Sequence, residues 1–120
     1  MSGTRALRVA DQIKKEVSQI IREELKDPRV AAITSVTEVR VSRDLRYARI
    51  YVSIYGNSDQ QQQTYQALTG AVGFFRSEIG KRIRLRYTPE LTFELDRSLE
   101  YGNHIEQVLK SIRSEREGNA

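Results

Sequence analysis

The chain has no cysteine, a single histidine, and no apolar run longer than the four residues Val30 to Ile33. Each shortage excludes something. Without cysteine there are no disulfides, thiolate metal sites or cysteine nucleophiles, and a reducing cytoplasm is the simplest compartment. A membrane-spanning helix needs roughly 18 or more apolar residues, so none is expected. The opening MSGTRALR lacks the apolar stretch of a secretory signal, and Ser2 stands where myristoylation requires glycine. His104 has no serine or second acid in a useful relation to it. Gly102-Asn103 separates it from Glu100, and Glu106, two residues on, falls on another face of a helix. No Asp/Glu/His spacing matches a metal site, and there is no Walker loop or GxGxxG. Neither an enzyme nor a cofactor is expected.

What the chain does have is charge, unevenly distributed. Its 120 residues fit one domain, 38% hydrophobic and 30% charged. The net charge of +4 divides into +2 over residues 1–30, +5 over 31–86 and −3 over 87–120. A basic body is thus joined to an acidic C-terminal segment, which points to a partner that is polyanionic, such as nucleic acid or an anionic surface.

Periodicity gives the element order. Val9, Ile13, Val17, Ile20, Ile21 and Leu25 predict an amphipathic helix over residues 5–26, stopped by Asp27-Pro28. A strand follows over Thr34–Ser42, with Val36 out of phase with Val39 and Val41, which predicts a bulge. After the turn SRDL, a second strand points Ala48, Ile50, Val52 and Ile54 one way and Tyr47, Arg49, Tyr51, Ser53 and Tyr55 the other. Ser58 and Gln61 have the form of a capping box. Tyr65, Leu68, Val72, Phe75, Ile79 and Ile83 then keep helical phase through Gly70 and Gly73, which predicts two helices meeting at a kink. Leu91, Phe93 and Leu95 alternate as a third strand, and Ile105, Val108, Leu109 and Ile112 mark a C-terminal helix. The fold expected is α+β, with helices on one face of a small mixed sheet. It forms a single domain over 1–120, with an ordered core at about 5–113 and a flexible tail at 114–120.

The densest candidate site is RSEIGKRIRLR, where Arg76, Lys81, Arg82, Arg84 and Arg86 are opposed only by Glu78. These groups, with the Arg5, Arg8, Lys14 and Lys15 side of the first helix, could neutralise several phosphates. The bland alternative is a solvated face. Gly70-Ala71-Val72-Gly73 matches the GXXG loop that clamps nucleotide backbone in KH domains, but short glycine motifs recur by chance, and uncharged Ala71 and Val72 fit a structural kink equally. Tyr47, Arg49, Tyr51 and Tyr55 form either a base-stacking platform or simply a wet strand face.

Five segments in this order, RVADQIKKE, LKDPR, VSRDLRYARIYVS, AVGFFRSEIGKRIRLR and PELTFELD, resemble the ribosome-binding factor A family from about Arg8 to Ile112. The resemblance implies a type II KH-like domain, ordered α-β-β-α-kink-α-β with an added C-terminal helix. It also implies that an Ala-x-Gly kink, here Ala71, Val72 and Gly73, replaces the KH loop; Gly70 in front departs from the usual pattern. The function implied is binding of free, immature 30S subunits through 16S rRNA, near the decoding region and terminal helices. Such factors assist late maturation and 16S 5′-end processing, matter most in the cold, have no catalytic residues, and leave with the help of a GTPase. A cytoplasmic monomer is expected. The remaining alternatives are a generic KH-type single-stranded RNA-binding module and a helix-turn-helix DNA-binding protein. The latter is disfavoured because the kink lies inside one continuous apolar period.

Overall fold

A computed structural model describes residues 2–25, 27–30 and 33–97. The C-terminal helix, the tail at 114–120 and His104 lie outside the described residues.

The first helix, α1 (Ser2–Gln19), buries Ala6, Val9, Ala10, Ile13 and Val17, the apolar stripe anticipated from its period. The uninterrupted helix expected to residue 26 does not form. At Ile20–Glu24 the chain widens into a π-helical turn, in which the Leu25 N–H donates to the Ile20 carbonyl five residues back at 2.8 Å. Leu25 then turns extended.

Strands β1 (Thr34–Val41) and β2 (Tyr47–Ile54) pair antiparallel, and β3 (Glu90–Leu95) joins the other edge of β2 in parallel. The bulge falls between Val36 and Glu38, as the phase break predicted. Inserting Thr37 there lets Val36 and Val39, three residues apart, both face the core. The Thr37 hydroxyl donates to Asp96 Oδ2 at 2.5 Å, tying the bulge to the end of β3. Register aligns Val39, Ile50 and Phe93 across the sheet on its covered face. Ala48, Ile50, Val52 and Ile54 are buried, while Arg49 and Tyr55 on the opposite face are exposed.

Helices α2 (Ser58–Gly70) and α3 (Val72–Arg82) form the crossover between β2 and β3. The capping box is one residue earlier than expected. Asn57 Oδ1 accepts from the Gln60 N–H and Gln60 Oε1 accepts from the Asn57 N–H, both at 2.8 Å. Gly56 precedes the cap at φ +153°, and a Cβ there would lie 2.5 Å from Gln60 Oε1, so glycine is required. The two helices meet at Ala71, whose N–H is shared between the Ala67 and Leu68 carbonyls at 3.1 Å each. Its φ of −96° and ψ of 9° make the expected kink without a loop. Leu68, Phe75, Ile79 and Ile83 continue one buried stripe through that kink. Phe75 meets Phe93 edge to face at 5.0 Å, joining α3 to the sheet.

Candidate nucleic-acid interface

The basic residues following the kink do not share one environment. Arg82, on α3, turns toward α1: it pairs with Glu16 at 3.1 Å, with Glu24 on the π turn, and with Glu78 one helical turn back at 3.4 Å. In an unbroken α-helix, the eight residues from Glu16 would carry Glu24 about 80° around the axis. The wider turn rotates the chain less per residue, so both carboxylates face the same guanidinium. Hydrogen bonding to Glu24, opposed by desolvation and assisted by Glu16, raises the Arg82 pKa and keeps it charged. Its side chain is only 22% exposed. The expectation that Arg82 lies in the same open face as Arg84 and Arg86 is corrected by these partners: its charge is already matched inside the fold. Lys81 is exposed, 3.6 Å from Glu78.

Helix α1 likewise divides its cations. Nine residues at about 100° each put Lys14 half a turn from Arg5. Glu16, on the Arg5 flank, meets α3, whereas Leu7 and Ala10 border a cleft against the β1 edge at Glu38 and Arg40. Arg8 and Lys15 are exposed on the helix's outward side. Arg5, Arg8, Lys14 and Lys15 therefore do not form the single side expected.

A different convergence replaces it, at the end of the sheet where β2 begins. The turn before β2 is closed by the Ser42 hydroxyl donating to Asp44 Oδ1 at 2.6 Å and by the Tyr47 N–H donating to Ser42 Oγ at 3.0 Å. Leu45 takes a left-handed φ of 62°, and the Arg46 N–H donates to Asp44 Oδ1 at 3.1 Å. The Ser42 hydroxyl, then the Arg46 N–H, hold the Asp44 pKa below the ordinary aspartate value. This geometry delivers Arg46 and Tyr47 beside the segment leading into β3, where the Glu90 N–H donates to the Arg46 carbonyl at 2.8 Å.

That segment is itself pinned from α3. Arg76 Nε donates to the Pro89 carbonyl at 3.1 Å and Arg76 Nη2 to the Thr88 carbonyl at 3.2 Å. Gly80 lets α3 approach it closely, since a Cβ would sit 2.9 Å from Thr88 Oγ1. Two adjoining concavities result. One, of about 440 Å³, is lined by Arg46, Tyr47, Arg76, Tyr87, Thr88 and Glu90. The other, of about 280 Å³, is lined by Arg5, Asp44, Leu45, Arg46, Leu85, Arg86 and Tyr87. Arg5, Arg76 and Arg86 are thus brought together from three separate elements, with Arg46 and Tyr87 common to the region. Arg84 is exposed in the same connecting segment. Linear reading missed Arg46 and Tyr87. A signal was present, in that the dipeptide Arg-Tyr occurs at 46–47 and again at 86–87.

The outer face of β2 is not one continuous aromatic platform. The Arg40 guanidinium lies 5.2 Å from the Tyr51 ring centroid, and Arg49 pairs with Glu94 at 3.4 Å. Tyr47 and Tyr55 stay exposed at opposite ends of the strand. At the kink, Gly70 and Gly73 have nothing within 4 Å of where a Cβ would stand, so neither serves a close approach among the described residues. No group of three or more His, Cys, Asp or Glu that could hold a metal ion occurs among the described residues. No described helix is long and apolar enough to cross a membrane.

Known proteins share both the sequence and this architecture. The family model for ribosome-binding factor A matches residues 5–109. The chain is 49% identical to ribosome-binding factor A of Caldanaerobacter subterraneus over 92% of this chain and 91% of that one. It is 50% identical to that of Clostridium botulinum strain Langeland over 99% and 98%. Among solved structures, a crystal structure of ribosome-binding factor A from Thermus thermophilus superposes with a TM-score of 0.68 at 26% identity, covering 78% of this chain and 97% of that one. Coordinates of the Thermus thermophilus factor as a homology model fitted into the cryo-EM map of its 30S complex give a TM-score of 0.61 at 26% identity, over 73% and 91%. The order α-β-β-α-kink-α-β is the type II KH-like arrangement of these structures. Sequence identity across nearly the whole length and this shared topology agree that the chain belongs to the ribosome-binding factor A family.

Proposed function

We propose that the chain binds the free, immature 30S ribosomal subunit through 16S rRNA and assists its late maturation, including 5′-end processing, with greatest importance in the cold. The observation that carries this reading is the convergence of Arg5, Arg46, Arg76 and Arg86 on one end of the sheet, in a fold shared with a factor fitted into a 30S map. Contacts from Arg84, Arg86 and the neighbouring cations to phosphate give affinity and orientation without reading base sequence. Recognition then comes from the shape of the assembling particle, and preferential binding of one rRNA conformation shifts that equilibrium toward maturation. Lys81, Arg8, Lys14 and Lys15 add to the field rather than to this convergence; Arg82 supports the fold. The factor acts as a cytoplasmic monomer without catalysis of its own, and an assembly GTPase promotes its release.

Sucrose-gradient co-sedimentation with extract of cold-grown cells, at two salt concentrations, tests this reading. Salt-sensitive association with free small subunits, and not with 70S particles or polysomes, is expected. Protein that stays at the top of the gradient yet binds short RNA would instead identify a generic KH-type single-stranded RNA-binding module.

A further inference from the structure

The concavities flanking Tyr87 have a composition that phosphate binding alone does not require. Tyr87 is 62% exposed and Tyr47 59%, whereas Phe75 and Phe93 are buried in the core. The two tyrosines line the same 440 Å³ concavity, one from the start of β2 and one from the segment before β3. The backbone that presents each ring is held in place. The Tyr47 backbone is fixed by its N–H bond to Ser42 Oγ and by the parallel register with Glu90. Tyr87 adjoins Thr88 and Pro89, whose carbonyls Arg76 holds.

The charges around these rings favour an anionic guest. Arg46, Arg76 and Arg86 outnumber Glu90 and Asp44, and Asp44 already accepts from the Ser42 hydroxyl and the Arg46 N–H. The Arg86 guanidinium stands 5.6 Å from the Tyr87 ring centroid, so a cation is coupled directly to an exposed aromatic surface. An exposed ring offers any base a π-face, and an adjacent arginine neutralises the phosphate that follows it. Double-helical RNA presents no free base faces, because its bases are stacked on one another. The chemistry that fits both rings and charge is therefore an unstacked nucleotide.

Resting on the ribosome-binding reading, we propose that Tyr47 and Tyr87 receive one unpaired, unstacked rRNA nucleotide, its base stacked on tyrosine and its flanking phosphates neutralised by Arg46 and Arg86. The factor then distinguishes rRNA in which that nucleotide is still free from rRNA in which it has been paired or stacked.

The test measures affinity for purified immature 30S subunits, with ultraviolet crosslinking to locate the contact. Tyr87→Ala is expected to weaken binding roughly 5- to 150-fold, the range for loss of one base stack, and Tyr87→Phe, which keeps the ring, to restore it. Tyr47→Ala weakens binding in the same direction, and Tyr55→Ala, at the far end of β2, does not. The crosslink from Tyr87 falls on a single unpaired rRNA nucleotide. Wild-type-like binding by both Tyr87→Ala and Tyr47→Ala overturns the stacking site while leaving salt-dependent subunit binding intact. A loss that Tyr87→Phe fails to restore overturns it as well, since the hydroxyl and not the ring would be the contact. A crosslink to a ribosomal protein assigns the surface to a different partner. If the wild-type chain does not bind the subunit at all, the underlying function falls together with the site.

Discussion

Arg82 on α3 and Glu16 on α1 lie 3.1 Å apart although 66 positions separate them in the chain. With Glu24 and Glu78 on the same guanidinium, this contact staples the first helix and its π turn to the crossover. Arg82→Ala leaves three carboxylates facing one another without their cation, so the thermal unfolding midpoint falls. Arg82→Lys recovers part of the loss, because a single ammonium cannot fork toward three partners. Circular dichroism melts report both effects. A midpoint unmoved by Arg82→Ala would mean that the staple contributes nothing to stability.

The neighbouring arginines behave oppositely. Arg84→Ala and Arg86→Ala leave the melting midpoint near wild type, since both side chains are exposed. Each lowers the slope of log affinity against log salt by roughly 0.7 to 0.9 for every phosphate that its guanidinium would have neutralised. Titrations of 30S subunits over a salt series separate these variants from Arg82→Ala, which changes stability and leaves the slope alone.

Alanine at Gly70 or Gly73 meets open space. Each substitution removes backbone freedom from the unfolded chain and is expected to stabilise the protein by about 0.5–1 kcal/mol. Urea denaturation checks the sign. Destabilisation by either alanine would show that the kink needs glycine for more than its bend.

The turn before β2 makes stability depend on acid. The Ser42 hydroxyl and the Arg46 N–H favour the ionised Asp44, holding its folded pKa below the ordinary value of 3.8. The unfolded chain therefore binds this proton more readily. Asp44 contributes its full stabilisation above 3.8 and loses it as pH falls through the lower folded value. Asp27, held down chiefly by the Arg29 side chain, acts in the same direction. Denaturation series for wild type and Asp44→Asn should converge as pH falls through the lowered folded value. A gap that stays constant through the acid range would mean that Asp44 acts by shape rather than by charge.

Local pattern made the fold legible. The strict alternation of Ala48, Ile50, Val52 and Ile54 fixes one face of β2, and the misplaced phase of Val36 discloses the bulge. The kink was visible because the stripe from Leu68 to Ile83 never loses helical phase. Local pattern also misled where two neighbours satisfy the same rule: Asn57 with Gln60 and Ser58 with Gln61 both spell a cap, and only the extended backbone at Asn57 decides between them. The π turn was hidden because Ile20, Ile21 and Leu25 suit a regular helix equally well. The interface was the least legible part. Whether an arginine faces solvent depends on carboxylates dozens of positions away, as Arg82 does on Glu16 and Glu24. The meeting of Arg46-Tyr47 with Arg86-Tyr87 depends on a parallel pairing that no short window of sequence contains.

That parallel pairing also gives the site a timetable. As a chain leaves the ribosome from its N-terminus, β1 and β2 are available first and can zip together as a local hairpin, whereas β3 must wait for the whole α2–α3 crossover to emerge. Tyr47 is in place early; Tyr87 and the carbonyls at Thr88 and Pro89 are set beside it only when β3 pairs with β2. A chain ending before β3 lacks the pairing that sets the Tyr87 segment beside Tyr47, and so carries half a groove. The groove is thereby assembled by the parallel pairing and not by the hairpin, as the order of the strands dictates.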